Sequence, residues 1–254
     1  MPAMDYSKVA EIYDCYAYSQ IDVPFFVAES RGCRHVLELT SGTGRLSIPL
    51  IQAGVLLVCM DQSPEMLAVL KKKLAALALS ADIYEMDVCR LNLPEKFDLI
   101  IFPFNSFSEI WDPARQKETL IAITNHLAPT GRFICTLHNP TARLKRMDGH
   151  KHVLGRYPIS SRVAGQTLVL SGCEQVDPKT GLVEGQQYYE IFDPSENLLE
   201  AWAIPIRFAL FTQQSFLDLI TQTSLRPIAL YGDYDYSEFK PEASPYMIWI
   251  LKRG

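Results

Sequence analysis

Residues 35–61 read HVLELTSGTGRLSIPLIQAGVLLVCMD, two apolar runs separated by a turn of small residues and a short helical segment. The run HVLELT is predicted to be a buried strand, and VLLVCMD is predicted to be a second one. Residues 45–53 are predicted to form a helix that carries Pro49 within its first turns. A strand, a helix and a further strand in this order predict parallel strands joined by a right-handed crossover.

The same alternation continues along the chain. The segment SPEMLAVLKKKLAALAL is predicted to be a helix, with Ser63 as its N-cap and Pro64 as its first helical residue. The segments ADIYEMD, FDLIIFPF and RFICTLH are predicted strands, and the helix RQKETLIAITNHLAPTG precedes the last of them. Strands that are apolar almost throughout indicate a parallel sheet covered by helices on both faces. The predicted fold class is therefore α/β, a doubly wound sheet.

The two ends of the chain and its middle depart from this pattern. Residues 5–30 are predicted to be helical, with an interruption at Pro24. The segments LRPIALYG and PYMIWILKR are predicted as two last strands after a helix capped by Thr212. Because no helix separates them, they are predicted to pair antiparallel. In the middle of the chain, three runs of mixed alternation separated by turn signals predict an antiparallel meander over residues 166–176, 182–193 and 199–208.

These patterns predict a core with an insertion. The core comprises residues 1–140 and 209–254, and the insertion is the antiparallel segment 141–208. The insertion follows the fifth strand at the sheet edge where ligands of open α/β sheets bind. It is therefore predicted to cover a site at that edge.

Composition and charge exclude several classes of protein. The 254 residues have a formal net charge of −5, which argues against nucleic acid as a partner, since that partner needs a basic face. No run is long and apolar enough to cross a bilayer, and no two of the six cysteines have CxxC spacing. We therefore predict a cytoplasmic protein with no membrane association. His150 and His152 have the spacing of a strand-borne metal pair, but no third ligand is nearby, so no metal site is predicted.

Three successive strand ends carry groups that suit a nucleoside ligand. Gly42 and Gly44 follow the first strand and let a ligand approach the main chain at a helix N-terminus. Asp61 ends the second strand roughly twenty residues later, where a carboxylate accepts hydrogen bonds from ribose hydroxyls. Asp87 follows the third strand, where its carboxylate would accept a hydrogen bond from an adenine amino group. An isolated acidic residue at such a strand end is, however, more often a helix cap.

More than one class of protein shares this arrangement. Nicotinamide-dependent oxidoreductases and methyltransferases that use S-adenosylmethionine both have a glycine turn followed by an acidic strand end. The dinucleotide fingerprint has a third glycine near residue 47, where this chain has Ser47, and this weighs against the oxidoreductase. A non-catalytic protein that binds an adenosyl cofactor is a third alternative, because no side chain stands out as a catalytic base.

The segments VLELTSGTGRLSIPL, VCMDQSPEML, EMDV and FDLIIFPFNSF, in this order, resemble the successive motifs of class I S-adenosylmethionine-dependent methyltransferases. The chain is most similar to the bacterial small-molecule branch, which includes sugar amino-group dimethyltransferases and glycine-type N-methyltransferases. The tail YGDYDYSEFKPEASPYMIWILKR resembles the same branch. The resemblance implies a Rossmann-like sheet of seven strands whose last strand is reversed, with a small antiparallel β insertion.

The same resemblance implies S-adenosylmethionine as the cofactor and a small molecule as the methyl acceptor, with an amine nitrogen expected. The chain departs from the family at Thr40, where the first loop ordinarily has a glycine. His138, at the end of the fifth strand, is the candidate catalytic base. Tyr188, Tyr189 and Arg207 are candidates for the acceptor pocket. The cofactor-binding residues that the resemblance implies are Tyr13, Glu38, Thr40, Gly42, Gly44, Asp61, Gln62, Met66, Asp87, Val88, Phe104 and Asn105.

Overall fold

The computed structural model describes residues 4–159 and 165–254 of the chain. Eleven strands are present in this part of the chain: β1 (Val36–Leu39), β2 (Leu57–Asp61), β3 (Asp82–Glu85), β4 (Phe97–Phe102), β5 (Leu127–His138), β6 (Asp148–Pro158), β7 (Thr167–Val176), β8 (Leu182–Phe192), β9 (Leu198–Ala209), β10 (Leu225–Tyr231) and β11 (Tyr246–Arg253). The α-helices of the same part are α1 (Tyr13–Tyr16), α2 (Val23–Glu29), α3 (Ser47–Gln52), α4 (Pro64–Ala76), α5 (Pro113–His126), α6 (Pro140–Arg143) and α7 (Gln213–Thr221).

Seven of the strands form one sheet in the order β10-β11-β5-β4-β1-β2-β3. Strands β1 to β5 are parallel to one another in this sheet. Strand β11 lies between β10 and β5 and is antiparallel to both. The predicted fold class is confirmed, including the reversed last strand. The carboxyl ends of β1, β2, β3 and β4 consequently lie along one edge of the sheet.

Both faces of the sheet are buried, as the apolar strands predict. Along β1, Leu37 and Leu39 face a core shared with α5 and α7, whereas Val36 faces a core shared with α2, α3 and α4. All four residues of β1 are buried. Because neither face meets water, the strand can be apolar throughout, and its one charged residue, Glu38, is buried with it.

The turn after β1 has backbone conformations that few residues adopt easily. Thr40, Gly42 and Gly44 have φ values of 58°, 55° and 86°, all in the left-handed region. A Cβ atom on Gly44 would lie 2.4 Å from Cδ1 of Leu70 in α4. Glycine is therefore required at residue 44 both by its backbone angle and by the close approach of α4.

A second, four-stranded antiparallel sheet has the order β6-β7-β8-β9. The three strands of the predicted meander are β7, β8 and β9 of this sheet. Strand β6 was absent from the sequence prediction. Its residues are mostly exposed, and it is an edge strand with charged side chains at several positions, so it lacks the apolar alternation by which a half-buried strand is recognised.

The N-terminal segment differs from the prediction. The predicted helix over residues 5–30 is wrong: the structure has a 3₁₀ turn at Tyr6–Lys8 and the two short helices α1 and α2. Pro24 lies in the first turn of α2, where its missing N–H is harmless, and does not interrupt a longer helix. The apolar residues at helical spacing, Val9 and Ile12 among them, pack against Leu168 and Ile204 of the second sheet.

The remaining differences concern the ends of elements. Strand β5 begins at Leu127, five residues before the predicted start at Arg132, and its pairing with β4 shifts register between Phe97 and Leu99. Thr212 caps α7 as predicted, in a reciprocal pair of hydrogen bonds with Ser215. Within the described ranges, we find no helix with the length and apolarity that a bilayer span needs.

Candidate active site

Asp61 is the last residue of β2 and fastens the turn that follows β1. One of its carboxylate oxygens accepts a hydrogen bond from the Gly42 N–H at 2.8 Å, and the other accepts from the Ser63 N–H at 2.9 Å. Burial raises the pKa of Asp61, and the two N–H donors oppose part of that rise. The carboxylate thus holds the turn after β1 and the start of α4 in a fixed relation.

Glu38 supports the same turn from inside the sheet. The Ser47 hydroxyl donates to its carboxylate, and the Ser41 hydroxyl donates to its main-chain carbonyl at 3.2 Å. Burial raises the pKa of Glu38 to about 7, against the opposing effects of Ser47 and the nearby Arg45 guanidinium. The Glu38 side chain is almost wholly buried, so its contacts are with the turn and not with bulk solvent.

The N-terminal segment is tied down over this turn by charged groups. The Thr43 hydroxyl donates to Asp14 at 2.6 Å. Arg45 donates to both carboxylate oxygens of Asp22 at 2.6 Å, in a pair whose two side chains are largely buried. The same guanidinium lies 4.7 Å from the centre of the Phe104 ring. These contacts place α1 and the start of α2 beside the turn.

The residues predicted to bind a cofactor are brought together in a strand-tip cleft. The cleft consists of two adjoining cavities that share Tyr13, Thr40, Gly42 and Ser106 in their walls. Of the other predicted residues, Asp61, Gln62 and Met66 line one cavity, and Glu38 and Phe104 line the other. Gly44 is behind the cleft, packed on Leu70, and serves the backbone turn.

Asp87 and Val88 line a side groove of about 720 Å³, together with Arg115 and Glu118, and the groove reaches Thr40 and Gln62 of the cleft. Asp87 caps the 3₁₀ turn Val88–Arg90: it accepts from the Cys89 N–H at 2.9 Å and from Arg115 at 2.6 Å. Both of its carboxylate oxygens therefore have protein partners, which is the helix-cap arrangement weighed from the sequence.

Phe104 and Asn105 form a sharp corner at the end of β4. Their φ values are 57° and 63°, two successive left-handed residues that are not glycine. The Asn105 N–H donates to the Thr136 hydroxyl at 3.1 Å. The Asn105 side-chain oxygen is buried and has no hydrogen-bond partner among the described residues. An acceptor left in this way at a cavity wall is a group that a ligand donor can satisfy.

Beyond this corner lies an inter-sheet chamber of about 270 Å³, between the edge of the main sheet and the second sheet. Its walls include Tyr16, His138, Arg143 and Glu174, and Arg143 donates to Glu174 at 2.7 Å. Burial and the Arg143 charge lower the pKa of His138 to about 4. His138 is thus a neutral and weakly basic imidazole at neutral pH.

The second sheet supplies one of the three predicted pocket residues to the chamber. Arg207 is in its wall, where its guanidinium lies 4.9 Å from the centre of the Trp111 ring. Tyr188 and Tyr189 are not in the chamber wall, and their predicted role toward the acceptor stays a prediction. Tyr189 is in the apolar core of the second sheet, stacked on Trp202 with 5.2 Å between ring centres.

Glu109 was missed from the sequence. It ends the 3₁₀ turn Ser106–Glu109 after β4 and lines the cleft, the side groove and the chamber. The Tyr6 hydroxyl donates to its carboxylate. Burial raises the pKa of Glu109 to about 7, and the nearby negative charge of Asp61 adds to the rise. The sequence signal was an acidic residue within the otherwise apolar and small stretch FNSFSEIW.

Comparison with known proteins agrees with this geometry. The family described as a methyltransferase domain matches residues 36–131. A glycine/sarcosine N-methyltransferase of Aphanothece halophytica is 27% identical over 247 residues, 94% of this chain and 85% of the relative. The corresponding enzyme of Halorhodospira halochloris is 30% identical over 131 residues, 50% of this chain, and the alignment spans only 48% of that relative's length.

The fold has close counterparts among solved structures. An S-adenosylmethionine-dependent methyltransferase from Clostridium acetobutylicum superposes with a TM-score of 0.79, although only 19% of the aligned residues are identical. The superposition covers 98% of this chain and 99% of that one. Residues 36–131 thus match a methyltransferase domain, and the chain shares, over almost its whole length, the fold of this S-adenosylmethionine-dependent methyltransferase.

Proposed function

We propose that the protein is an S-adenosylmethionine-dependent methyltransferase that acts on an amine nitrogen of a small molecule. The observation that carries this proposal is the strand-tip cleft, in which Asp61 holds the Gly42 N–H and both residues line the same cavity. Similarity to the methyltransferase domain, which includes this turn and strand end, supports the same conclusion.

The residues present suit an adenosyl group with a methionine tail. Gly42 faces the cleft with only the Met66 methyl group near, 3.7 Å from where a Cβ would be, so a ligand can approach the main chain there. Asp61 offers carboxylate oxygens to ribose hydroxyls, and the side groove at Asp87 and Val88 continues from the cleft. Asn105, whose side-chain oxygen has no partner among the described residues, lines the adjoining chamber.

When bound, S-adenosylmethionine would supply a methyl group that is already activated by its sulfonium centre. The protein's own residues then need to align the acceptor and exclude water, effects that reach about 7–11 kcal/mol in favourable cases. Tyr13 and Phe104 line both the cleft and the chamber, so they are placed to contact a cofactor in the cleft and an acceptor in the chamber. The N-terminal segment, held by Asp14 and Asp22, contributes Tyr13 to the wall of the cleft.

Two observations support an amine as the acceptor. The chamber has tyrosines and carboxylates in its walls, Tyr6, Tyr13, Tyr16, Glu109 and Glu174, which are groups that bind ammonium ions and amines. The two relatives reported above are named as N-methyltransferases of glycine and sarcosine.

We further propose that segment 141–208 is the cover of the acceptor site, inserted into a core of residues 1–140 and 209–254. Its residues Leu170, Gln187 and Phe208 share the chamber wall with Asn105 and Ser106, which come from the main sheet. A chamber with walls from both sheets needs the insertion in order to be closed.

Titration calorimetry tests the proposal in its first step. S-adenosylhomocysteine should bind the wild-type protein at micromolar strength, and Asp61→Asn should weaken this binding about tenfold or more because charged hydrogen bonds are lost. Asp82→Asn is the matched control: Asp82 is exposed at the opposite end of the adjacent strand, so binding should be unchanged. No binding at millimolar ligand, or preferential binding of a nicotinamide dinucleotide, would refute the cofactor assignment.

The second step is a product assay. Radiolabelled S-adenosylmethionine is supplied with panels of small amines, amino sugars, hydroxylated compounds and carboxylic acids, and methylated products are separated and counted. Label on nitrogen supports the amine proposal, and label only on oxygen contradicts it. Cofactor binding with no labelled product from any panel would favour the non-catalytic alternative.

A further inference from the structure

We propose that Glu109 binds the acceptor amine as a cation and takes its proton before methyl transfer. The inference rests on the proposed function and assigns its base to a residue outside the sequence-predicted set. Glu109 and Ser106 line the cleft, the side groove and the chamber, and of the residues that the structure describes Glu109 is the only ionisable one in the walls of all three. Its carboxylate therefore lies where a bound cofactor and an acceptor in the chamber would meet.

The surroundings of Glu109 leave it without a counter-ion. Among the described residues, its one hydrogen-bond donor is the neutral Tyr6 hydroxyl, and no described lysine or arginine is paired with it. The other carboxylate of the chamber, Glu174, is already paired with Arg143. A half-buried carboxylate with one neutral donor has the charge and the free acceptor capacity to receive an ammonium ion.

The other candidate base is less suited to the step. His138 is in the same chamber, but burial and the neighbouring Arg143 charge make its imidazole a weak base. The Arg143 charge also repels a cationic amine. Glu109 has the opposite environment: its neighbours Asp61 and Tyr6 bring no positive charge. The geometry therefore assigns the attraction of the cation and the removal of its proton to the same side chain.

The step is balanced as follows. An ammonium acceptor gives one N–H proton to the Glu109 carboxylate, which becomes a neutral carboxylic acid. The nitrogen lone pair freed in this way forms the new N–C bond while the bond between methyl carbon and sulfur breaks, and sulfur keeps that electron pair. The proton leaves Glu109 to solvent when the product departs. No oxidant, reductant or metal enters the step.

A binding experiment tests this assignment without a known acceptor. The probe is sinefungin, an analogue of S-adenosylmethionine in which a carbon bearing an amine replaces the sulfur bearing the methyl group. Its ammonium points to where the acceptor nitrogen would be. S-adenosylhomocysteine, which has no charge at this position, is the reference ligand, and both are titrated by calorimetry at pH 8.

We expect Glu109→Gln to weaken the binding of sinefungin about 30-fold or more, because this ligand loses a charged partner. The binding of S-adenosylhomocysteine, which has no charge at this position, should weaken less than about threefold. Glutamine keeps an acceptor for the Tyr6 hydroxyl, so the fold should persist, which urea unfolding verifies. Glu109→Asp, which keeps the charge, should retain more of the sinefungin affinity than Glu109→Gln. Glu190→Gln is the matched control: Glu190 is paired with Lys151 and lines none of the three cavities, so the ratio of the two affinities should be unchanged.

The outcomes separate this inference from the proposed function. If the wild-type protein binds both ligands and Glu109→Gln weakens the binding of both equally or not at all, Glu109 has no role toward the amine. The cofactor assignment then still stands. If the wild-type protein binds neither ligand, the proposed function fails and this inference fails with it.

Discussion

The strand-tip cleft and the inter-sheet chamber are adjacent, yet they are built in different ways. In the cleft, carboxylates are satisfied by nearby parts of the chain: Asp61 holds Gly42 and Ser63, and Glu38 holds Ser47. In the chamber, partners come from distant segments. Glu109 is held by a tyrosine 103 residues earlier in the chain, and Arg143 reaches a glutamate 31 residues later.

The difference separates a rigid region from an adjustable one. Short connections and buried pairs fix the cleft, as a site for one invariant ligand requires. The chamber depends on how the second sheet docks, so its shape can change with the acceptor, while the turn of the cleft stays fixed by Asp61 and Glu38. Substitutions of matched chemistry in the two regions should therefore have unequal effects.

The largest contrast is expected between the two ion pairs. Asp22→Asn should lower the free energy of unfolding by about 3–5 kcal/mol, because it leaves the Arg45 guanidinium buried without its bidentate partner. Glu174→Gln should lower it by only about 1 kcal/mol, because Arg143 is more exposed and burial already raises the pKa of Glu174. Urea unfolding at pH 7 measures both. Equal losses would mean that the chamber is as rigid as the cleft.

A somewhat smaller effect is expected at the glycine turn. Gly44→Ala should lower the free energy of unfolding by about 3 kcal/mol, since it adds left-handed strain to an overlap with Leu70. Gly54→Ala is the matched control: its φ is 85°, but no atom lies within 4 Å of the added Cβ, so about 1 kcal/mol is expected. If the two variants unfold at the same urea concentration, packing at the turn is looser than the contact with α4 indicates.

The pH dependence of stability tests the buried carboxylate of the cleft. The pKa of Glu38 is raised from 4.5 to about 7, so an unfolded chain gives up this proton at lower pH than the folded one. The free energy of unfolding should consequently fall as pH rises from about 4.5 to 7, by up to about 3 kcal/mol from this group. Glu38→Gln should remove that part of the slope.

Glu109, with its pKa also at about 7, adds a slope of the same sign, so the wild-type curve alone is not diagnostic. The difference between wild type and Glu38→Gln, measured by urea unfolding at a series of pH values, isolates Glu38. A difference that does not vary with pH would show that Glu38 titrates as an ordinary exposed carboxyl group.

The smallest effect is expected at the third strand end. Asp87→Asn should weaken the binding of S-adenosylhomocysteine less than about threefold, because the Asp87 side chain is partly exposed and its charge is already paired with the Arg115 guanidinium. Asp61, in contrast, is buried and has only neutral N–H donors. Calorimetry beside Asp61→Asn gives the comparison. A loss at Asp87 as large as that at Asp61 would show that its carboxylate leaves Arg115 for the ligand.

The same division explains what could be predicted from the sequence. Strand β1, the glycine turn and Asp61 were predictable because apolar runs, glycines and strand ends are local signals. Glu109 was not, since its role depends on three cavities that meet only in the folded chain. The N-terminal segment was predicted as a longer helix, because the spacing of Val9 and Ile12 reflects packing on the second sheet and not a continuous helix.

The corner at Phe104 and Asn105 lowers the stability of the protein at a position that faces the proposed acceptor site. Two successive non-glycine residues in left-handed conformations store on the order of 1–2 kcal/mol each, and the Asn105 oxygen is buried without a donor. Glycine at residue 105 would relieve the left-handed strain of that residue and remove the buried oxygen that has no donor, so the protein should be more stable. It would also delete an acceptor from the chamber wall, so screens that select for heat resistance alone should enrich variants at this corner that no longer hold their ligand.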